Sequence, residues 1–429
     1  MGKKVAFHTL GCKLNFSETS SMAEGLKKEG YSIVDWNDIA DIYIINSCTV
    51  TAKAEKKCRD AIKKVKNINP YSKVVVAGCY AEIKPEELKN NDKVDTVLGN
   101  TEKYKLAHYL AEIEDRQYTD FSDVNKTKEF FPTFSKDGRT RTFFKIQDGC
   151  DYFCTYCAIP YARGRNRYNT VEETIKTANE IAKNGFKEVV LTGINIGEFG
   201  VKNGESFFEL IKELDKIDGI ERYRISSIEP NLITDEIIEF VSKSNKFLPH
   251  FHIPLQSGSN TLLELMNRRY TTELFAQKVL KIKELMPNAC VAADVIVGFP
   301  GETDELFNEA TDFIESLPIS YLHVFTYSDR QITKASKFKG QVSGKVKKER
   351  SKVLHNISDK LKENFYNSNI NNTGKVLFES QDDNGFMHGF TDNYVKVRFP
   401  FHGTLVNRIK NVKITAVNND GTVSVEMIE

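Results

Sequence analysis

Twice along its 429 residues the chain alternates short apolar runs with longer amphipathic ones, and this limits the fold more than any other feature. In the first series, from Val5 to about Leu110, VAFHTLG, DIYIINSC and KVVVAGC are separated by SETSSMAEGLKKEG and by a helical pattern from Ala52 to Lys66. Such alternation predicts a parallel sheet with covered faces. In the second, from about Thr140 to Ser336, the strand candidates are RTFFKIQDG, KEVVLTG, RYRISSIE, FLPHFHIPLQ, ACVAADVIVG and SYLHVFTY, with helical stretches such as VEETIKTANEIAKNG between them. Six such units predict a partial (βα)6 barrel with its site at the carboxyl ends of the strands. VKKERSKVLHNISDKLKENFYNSN reads as a helix leaving that barrel. After it come KVLFES, NYVKVRFP, NVKITAVN and TVSVEMIE, short strands with DDNG and NNDG turns, which predict a small all-β barrel or sandwich. The fold class is α/β with three domains, 1–120, 136–368 and 369–429, in keeping with about 150 residues per domain.

A formal net charge of +1 rules out a whole-molecule attraction to nucleic acid, so any RNA contact must use local patches. The last segment is itself slightly acidic. The start, MGKKVAFHTLGCKLN, has no signal-peptide core, and no run approaches the ~20 apolar residues of a membrane helix. The expected location is the cytoplasm. Thiols stay reduced there, and eight cysteines are too few for a disulfide scaffold, so metal binding or catalysis is the better reading.

Cys12, Cys48 and Cys79 each end a strand candidate, in HTLGC, IINSC and VVAGC. In an open parallel sheet the carboxyl ends share one edge, where sites form. One such cysteine reads as an ordinary buried thiol; three at equivalent places read as a site. Cys58 differs, sharing a helical face with Ala54, Ala61, Ile62 and Val65, and Cys290 starts an apolar strand; both read as structural.

The stretch DGCDYFCTYCAIPYARGR follows the first barrel strand and holds Cys150, Cys154 and Cys157. Structural zinc wants four protein ligands, and no further His or Cys lies near. A cysteine-ligated [4Fe–4S] cluster also normally uses four thiolates. Three leave one iron open, a place for the amino and carboxylate groups of S-adenosylmethionine (SAM).

C-x3-C-x2-C with Tyr156 before its last cysteine, after the first strand of a βα series, resembles the radical SAM superfamily. The resemblance implies SAM contacts at Tyr156, at Thr192 and Gly193 in LTGINIG, at Ser226 and Glu229 in SSIEP, and at Gly298 in DVIVGFPGET. LTGINIG lacks the usual double glycine. Arg163 and Arg165 are open to a SAM carboxylate, an RNA phosphate or a loop cap. With a second three-cysteine set, the chain resembles the radical SAM methylthiotransferases: TLGCKLN, INSCTVT, VAGCY, CTYCAIPYARGR, PLQSGSN, MNRRYT and DVIVGFPGET match in order over nearly its whole length. FTYSDRQITKAS departs from the family's proline-containing FPYSPR. The C-terminal strands then resemble the TRAM domain, which implies RNA contact.

TLGCKLN most resembles the branch acting on N6-threonylcarbamoyladenosine of tRNA; the isopentenyladenosine branch tends to carry GCQMN, and a third branch modifies a ribosomal protein. The family implies two [4Fe–4S] clusters, an auxiliary one on Cys12, Cys48 and Cys79 and a radical-generating one on Cys150, Cys154 and Cys157. It also implies SAM used both as methyl donor and as radical source, a methylthio group delivered to carbon 2 of the adenine, and an electron-donor protein and sulfur source as partners. Asn195 and Glu198 are candidates, by position, to meet the base. Lys53, Lys56, Lys57, Arg59, Lys63, Lys64 and Lys66 could hold tRNA phosphates or form a solvated helix face. From another class, a non-enzymatic zinc-bound RNA-binding protein remains the rival.

Overall fold

The computed structural model describes residues 2–113, 118–136, 140–380 and 383–428. The first series folds into a six-stranded sheet, order β2-β1-β3-β4-β5-β6, in which every pairing is parallel. Its strands are β1 (Lys4–Thr9), β2 (Ser32–Val34), β3 (Ile42–Ser47), β4 (Lys73–Gly78), β5 (Thr96–Leu98) and β6 (Tyr118–Asp120). Central β3 is buried along its whole length, as a strand covered on both faces must be. Helix α1 (Lys13–Lys28) follows β1, α2 (Ala52–Ile68) follows β3 and α3 (Cys79–Ile83) follows β4. Thr51 caps α2 by accepting from the Ala54 N–H at 3.2 Å. Cys58, Ala61, Ile62 and Val65 form its buried face, the role read for Cys58 from spacing alone.

A short β7 (Thr133–Phe134) lies antiparallel on β8 (Arg141–Lys145), the first barrel strand. The others are β9 (Glu188–Thr192), β10 (Arg222–Ile225), β11 (His250–Gln256), β12 (Cys290–Val297) and β13 (Tyr321–Thr326), each inside a predicted segment. β8–β9–β10 and β11–β12–β13 are continuous parallel ladders. Between β10 and β11 only the parallel bridges Tyr223↔Phe247 and Ser227↔His252 remain. No pairing joins β13 to β8 among the described residues, so the barrel is open. Helix α1 packs on β7 and β8 at that seam, with Ser17 Oγ 3.0 Å from Thr133 Oγ1.

The helix Gly344–Asn367 leads to β14 (Thr373–Phe378), β15 (Phe386–Thr391), β16 (Lys396–Pro400), β17 (Ile409–Val417) and β18 (Val423–Met427). These close into a five-stranded barrel, order β14-β15-β16-β18-β17, which leaves no open sheet edge. Cys290 is buried among Phe365, Tyr366 and Val376, packing that joins this barrel to the central one. The joint lies at the amino ends of the central strands. There Arg222 donates to Lys375 O (2.6 Å), Arg224 to Thr391 O and Asp392 O (3.1 Å each), and Arg141 pairs with Glu379 (2.8 Å). The carboxyl ends stay free for a site. No helix among the described residues is long and apolar enough to cross a membrane.

Candidate active site

Strands β1, β3 and β4 are neighbours, so Cys12, Cys48 and Cys79 emerge side by side at their carboxyl ends. Cys12 is the N-cap of α1 and Cys79 the first residue of α3. The Cys79 thiol lies close enough to raise the pKa of both Cys12 and Cys48. Gly11 (φ +100°) permits the approach: a Cβ there would stand 2.9 Å from Cys48 Sγ. Asn15 ties two of the loops, donating to Leu10 O (2.7 Å) and Ser47 O (3.1 Å). Asn100 Nδ2 lies 3.6 Å from Cys79 Sγ and donates to Ala162 O (2.7 Å), just past the second cysteine set. Burial pushes the Cys12 thiol up, and burial with the Cys79 thiol beside it pushes Cys48 up to about 12. Such thiols ionise only against a cation, so metal uptake there releases protons.

Cys150, Cys154 and Cys157 lie in the loop after β8. Thr155 pins that loop through its N–H to Met266 O (3.1 Å) and its hydroxyl to Leu265 O (2.8 Å). Arg268 points its guanidinium into the site, donating to Cys154 Sγ (3.1 Å) and Tyr156 Oη (3.3 Å) while pairing with Glu229. Burial raises all three thiols, Cys157 to about 12.

A tetrahedral zinc ion at about 2.3 Å from each thiolate would bring the sulfurs to about 3.8 Å of one another. Among the described residues the one trio of metal-ligating atoms all within 4.8 Å is His252, Asp294 and His323. Each cysteine trio offers three free thiols, a donor set that fits a multi-iron group with one open iron.

Thr192, at the end of β9, is buried with its hydroxyl unpartnered among the described residues, and so is Asn195 Oδ1. Orphaned acceptors of this kind cost about 1–3 kcal/mol each, and they line the loop beside Cys150, whose thiol feels Glu198. They fit a polar ligand. The Gly193 backbone is pressed against Gln147, where a Cβ would meet Oε1 at 2.8 Å; that oxygen accepts from the N–H groups of Ile194 and Asn195 (2.8 Å each). Ser226 directly follows β10 and is nearly buried. Gly298 (φ +71°) faces the Lys347 stem, which fills the place of a Cβ. Asn195 and Glu198 are bonded to each other (3.1 Å).

One expectation changes. Arg163 is 1% exposed and meets neither solvent nor a free phosphate. It bonds Glu18 (2.9 and 3.0 Å), Asp148 (3.0 Å) and Asn15 Oδ1 (2.6 Å). Glu18 also holds Lys103 (2.7 Å) and Lys145 (3.1 Å), which makes a buried ionic knot between the first two domains and between the two cysteine sets. Arg165 is exposed, near Asp151 (3.7 Å) and over the Phe153 ring (4.4 Å). Arg330, from the divergent FTYSDRQITKAS, clamps the same domains through Thr49 Oγ1 (3.0 Å) and Glu55 (2.7 Å). A cavity of about 230 Å³ runs between Val50 and Thr51 on one side and Cys157, Asp294 and Phe325 on the other.

Glu18, Asn100 and Lys145 were not foreseen as site-building residues. Asn15 and Arg268 lay within TLGCKLN and MNRRYT, but their roles appear only once the domains meet.

Residues 4–99 match the family described as "Uncharacterized protein family UPF0004", and residues 144–314 match the Radical SAM superfamily. The chain is 42% identical to the threonylcarbamoyladenosine tRNA methylthiotransferase MtaB of Bacillus subtilis, over 96% of this chain and 93% of that one. It is 34% identical to the tRNA-2-methylthio-N(6)-dimethylallyladenosine synthase of Acetivibrio thermocellus, over 97% and 90%. Among solved structures, the radical SAM methyltransferase TsrM of Kitasatospora setae aligns with a TM-score of 0.56 at 14% identity, over 78% of this chain and 77% of that one, a likeness of fold. Two cysteine sets at facing strand ends and full-length identity of this order lead to one conclusion: the chain belongs to the radical SAM methylthiotransferase family.

Proposed function

We propose that the protein methylthiolates carbon 2 of N6-threonylcarbamoyladenosine beside the anticodon of tRNA. The observation that carries this reading is the pair of three-thiol sets, at the strand ends of two domains locked together by the Glu18–Arg163–Asp148 knot. The higher identity to the threonylcarbamoyladenosine enzyme than to the dimethylallyladenosine enzyme supports the choice of base.

In this reading residues 1–120 hold an auxiliary [4Fe–4S] cluster on Cys12, Cys48 and Cys79. Residues 136–368 hold a second cluster on Cys150, Cys154 and Cys157 with SAM, and residues 369–429 form the TRAM-like module. When bound, these groups supply reductive cleavage of SAM, hydrogen abstraction at the adenine and a sulfur to donate, given an electron donor and a sulfur source. The protein positions and encloses. Arg268 places positive charge against the Cys154 thiolate, and Glu229 fixes Arg268. Thr192, Asn195, Gly193, Ser226 and the Gly298 turn shape the SAM pocket, with Tyr156 as its aromatic side. The knot keeps the two sets at a fixed separation, which matters because target carbon, hydrogen acceptor and sulfur must be held together. The adenine leaves its stack at a cost of a few kcal/mol, least in a single-stranded loop.

The test is iron and acid-labile sulfide per chain after anaerobic reconstitution, followed by turnover with tRNA. About eight irons with matching sulfide support two four-iron clusters. Cys150→Ala abolishes SAM cleavage. Cys12→Ala keeps SAM cleavage but makes no methylthio product. Full product from either variant, or zinc in place of iron, overturns the assignment. Turnover of isopentenyladenosine tRNA alone would move the chain to the other branch.

A further inference from the structure

Strands β11, β12 and β13 carry apolar side chains toward the helices and a polar trio on their other face. The register pairs His252 with Ala292, Pro254 with Asp294 and Asp294 with His323. Residues paired across parallel strands, and those two apart along one strand, share a face. His252, Asp294 and His323 therefore project from the same side of three adjacent strands. The alternate residues Ile253, Ala293 and Leu322 pack into the apolar core with Val279 and Ile314 of the helices Thr272–Leu285 and Asp304–Glu315. The trio thus faces the barrel lumen. Asp294 also lines the cavity of about 230 Å³ that reaches Cys157.

The donor atoms of the three side chains all lie within 4.8 Å of one another. His252 Nε2 stands 2.7 Å from Asp294 Oδ1, and both side chains are mostly buried. The His323 ring lies 4.9 Å from that of His252 and has no hydrogen-bond partner among the described residues. A His–Asp hydrogen bond alone would explain two members of the trio. It gives no reason for a second imidazole, without a polar partner, to stand beside them. Two imidazoles and one carboxylate are together a donor set for divalent first-row metals. Bonds of about 2.0–2.2 Å hold neighbouring donors about 3–3.5 Å apart. Modest side-chain rotations bring the trio to that spacing, with the cation in place of the proton that His252 and Asp294 share.

We propose that His252, Asp294 and His323 bind one divalent cation of the zinc or ferrous class in the barrel lumen, separate from both cysteine sets. Three protein ligands leave coordination positions open toward the lumen, where water or an oxygen of an entering molecule completes the shell. The site depends on these three side chains and not on which base the protein modifies, so its failure would leave the proposed function standing.

The test offers Zn2+ as the probe to the full chain after anaerobic reconstitution and removal of loosely held metal. Bound zinc is counted after equilibrium dialysis, and its neighbours are read from X-ray absorption at the zinc edge. The wild type should hold a single zinc per chain in addition to its iron, with nitrogen and oxygen at about 2.0–2.2 Å and no sulfur at about 2.3 Å. Asp294→Asn keeps the shape of the side chain and a hydrogen bond to His252 but gives up the carboxylate. Loss of even an outer-shell partner costs about 10–100-fold in metal affinity, so Asp294→Asn and His323→Gln should each weaken zinc binding at least about 10-fold. Their iron content should match the wild type, which shows that the chain is folded. No zinc retained by the wild type, or sulfur among its zinc's neighbours, overturns the inference without any variant. Wild-type zinc affinity in both variants overturns it as well.

Discussion

Glu82 is a carboxyl group held where ionising is costly. Burial and the neighbouring Glu102 raise its pKa to about 7 against the pull of the Asn100 N–H, which donates to Oε2 at 2.7 Å. The folded value lies above the ordinary carboxyl value of 4.5, so the fold is least penalised below that pH. Stability is lost as pH rises from there toward 7, and the loss is complete above it. A shift of this size amounts to about 1–3 kcal/mol once partial exposure is allowed for. Glu82→Gln should therefore raise the thermal midpoint at pH 8 and leave it nearly unchanged at pH 5; equal midpoint changes at both would remove the account. Glu82 also shows where reading single residues from sequence stops. The two three-cysteine sets stood out because thiols at strand ends and a C-x3-C-x2-C spacing are local patterns, and the structure places each set after strand ends. Glu18 and Arg163 were not. A charged residue in sequence looks solvated, and these become a buried pair only through contacts 145 positions apart.

Among the elements, every predicted barrel strand contains an observed one, because apolar runs of this length bounded by turns leave little choice. The three-residue strands β2, β5 and β6 went unseen, being too short to carry a period. Helix α2 lay between these cases: its buried stripe was plain, but its cations could be solvated or functional. The structure divides them. Arg59 is held by Tyr80 (2.9 Å) and Glu87 (3.2 Å), Lys66 by Ser72 O (2.6 Å) and Lys64 by Asn37 (2.7 Å). Lys53, Lys56 and Lys57 are exposed, with no partner among the described residues, in the first turns near the Cys48 loop. Replacing these three with Glu should weaken tRNA binding and make it less dependent on salt, lowering the slope of log affinity against log salt by about 2–3. An unchanged slope in a filter-binding series would identify α2 as a solvated face.

For the molecule as a whole, two buried carboxylates do equivalent work at opposite ends of the barrel. Glu18 gathers Lys103, Lys145 and Arg163 where the two cysteine sets face each other; Glu188 gathers Arg224 (3.0 Å) and Arg222 (3.6 Å) where the C-terminal barrel docks. Buried ion pairs recover their desolvation cost only in part, so such knots fix position more than they add stability, but removing one partner strands the other. Arg224 is the sharper test. Its guanidinium bonds Glu188, donates to two carbonyls of the C-terminal barrel and stacks 4.7 Å from the Tyr394 ring centroid. Arg224→Ala removes all of these at once and leaves Glu188 short of its best partner, at a cost of about 3–5 kcal/mol. The central barrel keeps its own apolar core, from Phe144 through Leu191 to Val295, so the loss should fall on the docking. Limited proteolysis should then open the chain between the helix Gly344–Asn367 and β14. Amide exchange should rise in β14 and β15 but not in β9, and the iron content of the reconstituted protein should match that of the wild type. Arg224→Lys keeps the charge without the planar fork and should fall between the two. Loss of iron together with the C-terminal barrel would mean that the two ends of the molecule are coupled, and that Glu188 supports the site as well as the docking.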